Sequence, residues 1–165
     1  GNKEDICIIH AGARNVSSFL KIETSQYYAL VGFESEKLLK TIEGDLSKIT
    51  QTCIYPPFPR NMGTVIPDEI KDMSEELEAI EFTNVSSDSP MALGFQIALD
   101  LGVNTILLAG FDGYDTAIDE TQFALAQENQ NILDDALKLK EIEVIAITPT
   151  KYKNISETSI YSLLK

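Results

Sequence analysis

The sequence is poor in the residue types on which most enzyme chemistry depends. It has one histidine, His10, so any imidazole chemistry must run through that residue. It has two cysteines, Cys7 and Cys53, each inside an apolar run that reads as a strand. Buried inert thiols are expected rather than a catalytic pair, with a disulfide as the open alternative. Basic residues are scarce too: 13 against 26 acidic ones, for a net charge of −13. That charge repels the phosphates of nucleic acid and the anionic faces of membranes, so neither is expected as a partner. No apolar span of about twenty residues and no arginine-tipped apolar leader occurs, which points to a soluble, cytoplasmic protein. The chain opens Gly1-Asn2-Lys3 without methionine, which reads as a piece cut from a longer protein. There is neither an internal repeat nor a low-complexity tract.

What is present is an α/β pattern. A chain of 165 residues with 44% apolar content is long enough for one domain that buries about two thirds of its unfolded surface. The run from Asp88 to Tyr114 is the most informative. Asp88 or Ser89 caps a helix with Pro90 in its first turn, Met91 to Leu101 form an almost wholly apolar cylinder, and Gly102 closes it. Thr105 to Ala109 then reads as a short strand covered on both faces, emptying into Gly110-Phe-Asp-Gly-Tyr114.

Around this run the alternation continues. Asp5 to His10 reads as a first strand and Val16 to Ile22 as a short helix. Tyr27 to Phe33 reads as a second strand, with Ser35 capping the helix that follows. Gln51 to Tyr55 is a third strand, stopped by Pro56, Pro57 and Pro59. Asp68 to Glu76 suggests a short exposed helix and Leu77 to Phe82 another strand. Asp119 and Gln122 form a capping box for a long helix, and Glu143 to Ile147 is a strand parallel to Thr105–Ala109 through a right-handed crossover. A last helix, capped at Ser156, packs back on the sheet through Ile160, Leu163 and Leu164. The fold expected is three-layer and Rossmann-like, a mostly parallel sheet with helices on both faces.

Ligands of such sheets collect outside the carboxyl ends of the strands. Four segments are expected there: His10 to Asn15, Ser86 to Ser89, Gly110 to Asp115, and Thr148 to Tyr152. His10 either serves as a base or merely finishes a strand. Gly12 lacks the companion glycines of a dinucleotide fingerprint, while Arg14, beside Asn15, offers a guanidinium for a phosphate or carboxylate. Asp112 and Asp115 have a spacing suited to a cation or to ribose hydroxyls, although Asp112-Gly113 is also an ordinary turn pair. Ser86 and Ser87 precede a helix N-terminus. Gly110, Tyr114, Thr148, Thr150 and Lys151 complete the candidate ligand-binding set. No cofactor or metal is assigned.

Three pieces, Leu107-Leu-Ala-Gly-Phe-Asp-Gly-Tyr114, Thr148-Pro-Thr150 and Ser159-Ile-Tyr161, carry a resemblance. The chain resembles a nucleotide-binding-like domain at the C-terminus of bacterial proteins whose N-terminal half is an aldolase barrel of the hydroxymethylglutaryl-CoA lyase type, often labelled 4-hydroxy-2-oxovalerate aldolase. More remotely, its order of elements is similar to bacterial sialyltransferases and motility-accessory proteins. The first resemblance implies an accessory domain with the barrel as partner in the same chain, a small polar or phosphorylated ligand, and no aldol chemistry here, since a barrel needs about 250 residues. The second implies a nucleotide-sugar-dependent transferase with His10 as base and Asp112 and Asp115 holding donor or metal. It is weakened because the Gly-x-Gly-Pro-Ser that follows the first strand of sialyltransferase-like relatives is Ala11-Gly-Ala-Arg-Asn15 here, and their catalytic histidine, between the Gly-x-Asp loop and the last strand, has no counterpart between Phe111 and Ile147. A protein-interaction or assembly module, including self-association into an oligomer, is the third expectation.

Overall fold

The computed structural model describes residues 6–85, 88–114 and 119–163. The chain forms two compact units, one of Gly1–Glu81 with Ser87–Ile97 and the other of Phe82–Ser86 with Ala98–Lys165. Both are α/β with wholly parallel sheets.

In the first unit, β1 (Cys7–His10), β2 (Ser25–Ala29), β3 (Cys53–Tyr55) and β4 (Ser74–Glu76) lie side by side in chain order. The pleat sends successive side chains to opposite faces. On one face Tyr28, Leu30, Cys53 and Tyr55 pack with Val16 from a 3-10 turn, with Leu38 and Ile42 at α1 (Glu34–Thr41), and with Ile70 from a second 3-10 turn (Asp68–Met73). On the other, Ala29, Val31 and Ile54 pack with Leu93 and Ile97 of α2 (Pro90–Asp100). The unit is thus a sheet between two helical layers, the Rossmann-like arrangement expected. Both cysteines are free, and burial pushes the Cys53 thiol up to about 12, so it stays protonated and inert.

Several local expectations need correction. The helix expected at Val16–Ile22 is only the 3-10 turn Val16–Ser18, because the serines at 17 and 18 are poor helix formers and Val16 alone of that turn is buried. Ser35 does not cap α1: the N-cap is Phe33, and the Ser35 hydroxyl instead bonds the Tyr55 hydroxyl at 2.8 Å in the core. The exposed helix expected from Asp68 stops at Met73, and the strand expected at Leu77–Phe82 lies earlier, at Ser74–Glu76. β4 is an edge strand, where the exposed charges of Glu75 and Glu76 are at home and apolar alternation is not needed.

In the second unit, β5 (Thr105–Leu108), β6 (Glu143–Ala146) and β7 (Ser156–Glu157) are parallel neighbours in that order. The long helix is α3 (Glu120–Ala136), opened by the expected capping box: Asp119 accepts from the Gln122 amide at 2.8 Å and Gln122 from the Asp119 amide at 3.4 Å. Gly102 ends α2 at φ +68°, a left-handed conformation that glycine adopts without strain. β5 is not covered on both faces as expected; Leu108 is buried but Leu107 is 46% exposed. Ser156 is not a helix cap either. It belongs to β7, where the open edge of β6 recruits it, and the Thr158 amide donates to the Ala146 carbonyl at 2.9 Å. The closing helix shrinks to α4 (Ile160–Leu163), whose Ile160, Tyr161 and Leu163 are exposed rather than packed on the sheet. Leu164 lies outside the described residues. Among the described residues, no helix is long and apolar enough to cross a membrane.

Leu38 is fully buried among strand and turn side chains, whereas Leu107 is half in solvent. Leu38→Ala is therefore expected to cost about 2–5 kcal/mol in urea unfolding and Leu107→Ala less than about 1.5 kcal/mol.

Candidate functional site

In a parallel sheet all strands exit at one edge, so each unit has its own carboxyl edge, and the expected site residues divide between the two.

At the edge of the first unit, His10 turns inward. It is 7% exposed, its Nε2 lies 2.9 Å from Gln26 Oε1, and its ring stacks on Tyr28 and meets Phe19 edge-on. The register explains this. His10 sits opposite Tyr28, so His10, Tyr28 and Gln26 share one face of β1 and β2. Gln26 is itself tied down, its Nε2 donating to the carbonyls of Phe19 and Ile22. Burial lowers the His10 pKa, partly offset by the Gln26 bond, so the imidazole is held neutral.

Gly12 has φ +134°, and a side chain there would meet the Glu34 carboxylate, with Cβ at 3.1 Å from Oε2. That carboxylate accepts from the Ala13 amide at 2.6 Å and is ion-paired with Lys37. Burial alone would raise the Glu34 pKa. The bonds from Lys37 and the Ala13 amide, with the charges of Lys37 and Arg14, outweigh it and hold it below the ordinary value. Arg14 and Asn15 are exposed, and Asn15 makes no side-chain cap to the turn that follows. At this loop the Ala13 amide is thus taken by an internal carboxylate. Residues 86 and 87, the two serines expected to line this edge, lie outside the described residues. Ser89 caps α2, accepting from Ala92, while Asp88 reaches the Met62 amide at 2.7 Å.

At the edge of the second unit, the two expected segments are stitched together. The Gly110 amide donates to Thr148 Oγ1 at 3.0 Å, Thr150 Oγ1 donates to the Phe111 carbonyl at 2.6 Å, and the Lys151 amide donates to the Asp112 carbonyl at 2.9 Å. Gly113, at φ +81°, lies so close that a Cβ would stand 3.1 Å from Lys151 Cβ. Tyr114 is half-buried, and burial raises the pKa of Tyr152, partly offset by the bond its hydroxyl accepts from Asn129 at 3.0 Å. The carboxylate of Asp112 is exposed. Residue 115, its expected acidic companion, lies outside the described residues. Among the described residues, no cluster of three histidine, cysteine or acidic side chains is placed to hold a metal ion.

Beside this stitched loop runs an open groove of about 400 Å3 lined by Ile147, Thr148, Pro149, Glu157, Thr158 and Ser159. It lies past the ends of β6 and β7 and presents hydroxyls and one exposed carboxylate. Comparison with protein-family models, curated proteins and solved structures gives no match to this chain. Reasoning from sequence did not single out Glu157, Thr158, Gln26 or Glu34. Glu34 had one visible signal, its place just after Gly32 at the end of the second expected strand, but nothing local revealed that it reaches Ala13.

Because folding lowers the His10 pKa, the unfolded chain binds its proton first. Above the ordinary value of 6.5 the two states do not differ at this group; stability falls as pH drops from there through the lower folded value. Urea titrations between about pH 7 and pH 5 are expected to show this loss in the native protein and less of it in His10→Gln. Gly113→Ala, strained by its positive φ and crowded by Lys151, is expected to cost about 1–3 kcal/mol in the same measurement.

Proposed function

We propose that this chain is the accessory α/β domain of an aldolase-type protein, binding a small polar or phosphorylated ligand at the carboxyl edge of the β5–β7 sheet and carrying out no chemistry of its own. One observation carries the reading. The loop after β5 and the loop after β6 are joined by three hydrogen bonds, through Thr148, Thr150 and Lys151, so a rigid rim borders the groove. Pre-organised backbone is what a binding site needs, since a ligand then has no loop to order. Thr148, Thr158, Ser159 and Glu157 supply donors and acceptors suited to a hydroxyl-bearing ligand. Lys151 on the adjoining loop suits a phosphate on such a ligand.

The transferase alternative asks His10 to act as a base. Its ring lies against Phe19 and Tyr28 and its Nε2 is engaged by Gln26, which favours a structural role. The barrel partner rests on the resemblance in the Leu107–Tyr114 segment and would lie elsewhere in a longer reading frame.

Thermal shift with sugars, sugar phosphates and nucleotides tests the binding reading. A ligand at 100 times its Kd adds about 2.7 kcal/mol of stability, and Glu157→Gln and Thr148→Val are expected to remove most of the resulting rise in melting temperature. Turnover of a 4-hydroxy-2-oxo acid or of a nucleotide sugar by the chain alone would refute the reading.

A further inference from the structure

The carboxyl edge of the first unit holds a second cleft, of about 270 Å3, that none of the expected site residues lines. Its walls are Gly32 and Phe33 at the exit of β2, Glu36 on α1, and Gly63, Val65 and Glu69 from the loop after β3 and the turn that follows it. The two glycines adopt left-handed conformations, with φ +59° and +65°, and a Cβ on Gly63 would meet no atom within 4 Å. The Gly32 amide donates to Thr64 Oγ1 at 2.7 Å, which holds the two loops against each other.

The chemistry of this cleft is one-sided. Phe33 and Val65 are 69% and 71% exposed, an aromatic face and a branched apolar flank left in water. Glu36 and Glu69 are exposed carboxylates that form no ion pair among the described residues, and no lysine or arginine lines the cleft. Elsewhere in the unit two backbone amides are taken by internal carboxylates, Ala13 by Glu34 and Met62 by Asp88. The cleft thus offers two carboxylates and an aromatic ring, with no cationic side chain among its lining residues. A cation over an aromatic face gains attraction from the ring quadrupole, and carboxylates add to it.

We propose that this cleft binds a small organic ammonium ion, its apolar body against Phe33 and Val65 and its charge facing Glu36 and Glu69. The site lies in the other unit from the groove of the proposed function and stands or falls independently of it.

Titration of the intact chain with 2-phenylethylammonium, followed by amide NMR, tests it. Saturable shifts are expected at Gly32, Phe33, Gly63 and Val65. The neutral isostere 2-phenylethanol is expected to bind about tenfold more weakly, and Glu36→Gln with Glu69→Gln to weaken the ammonium by about tenfold. Glu75→Gln with Glu78→Gln removes two exposed charges of the same unit away from the cleft and is expected to leave binding unchanged. Four results would each overturn the proposal: no shift at these amides, equal binding of the alcohol, equal weakening by the Glu75/Glu78 pair, or displacement of the same amides by inorganic phosphate.

Discussion

Parallel pairing of neighbouring strands is the constraint from which the rest follows. Each strand of a parallel sheet must be followed by a crossover back to the starting edge, so strand exits gather at one side and helices or turns cover the faces. In the first unit that rule places the ends of β1, β2 and β3 together, with Gly12, Gly32 and the proline-rich loop after Tyr55 side by side in order. In the second it places the glycine loop after Leu108 beside the threonine-proline turn after Ala146. Each edge is then finished by side chains rather than by the sheet, and the two are finished differently.

The difference lies in how backbone donors are satisfied. A buried or half-buried amide without a partner is costly, so each loop must find an acceptor. In the second unit hydroxyls and carbonyls do this: Thr148 accepts from Gly110, and the Asp112 carbonyl accepts from Lys151. In the first unit a hydroxyl serves Gly32, through Thr64, but carboxylates serve two further amides, Glu34 on Ala13 and Asp88 on Met62. A chain with twice as many acidic as basic residues has carboxylates to spare for such work. Using them as internal acceptors gives this edge a negative character that a phosphate would meet as repulsion. The same chemistry appears at Asp119, which caps α3, and at Asp135, which takes both Thr83 and Lys138.

Much of the architecture is legible in the residues themselves. The apolar helix of Pro90–Asp100, the capping box of α3, and strands at Thr105 and Glu143 each carry a strong local pattern, and each is where that pattern puts it. Three element boundaries moved where local pattern was thin. β4 has no apolar alternation because it is an edge, β7 is two residues recruited by a free neighbour, and Val16–Ser18 is too poor in helix formers to continue. Of the expected site, the segments at Gly110–Tyr114 and Thr148–Lys151 do meet, whereas His10 faces the core.

The sequence alone determined the alternation of strands and helices, the parallel class of the sheet and the acidic character of the surface, because these depend on composition and on periods of two and 3.6 residues. Tertiary structure decided which side chains meet. Glu34 reaches Ala13 across 21 positions, Asp88 reaches Met62 across 26, and Gln26 meets His10 only because the β1–β2 register sets both on one face. No local pattern encodes such pairs; they exist only once the strands have found their neighbours.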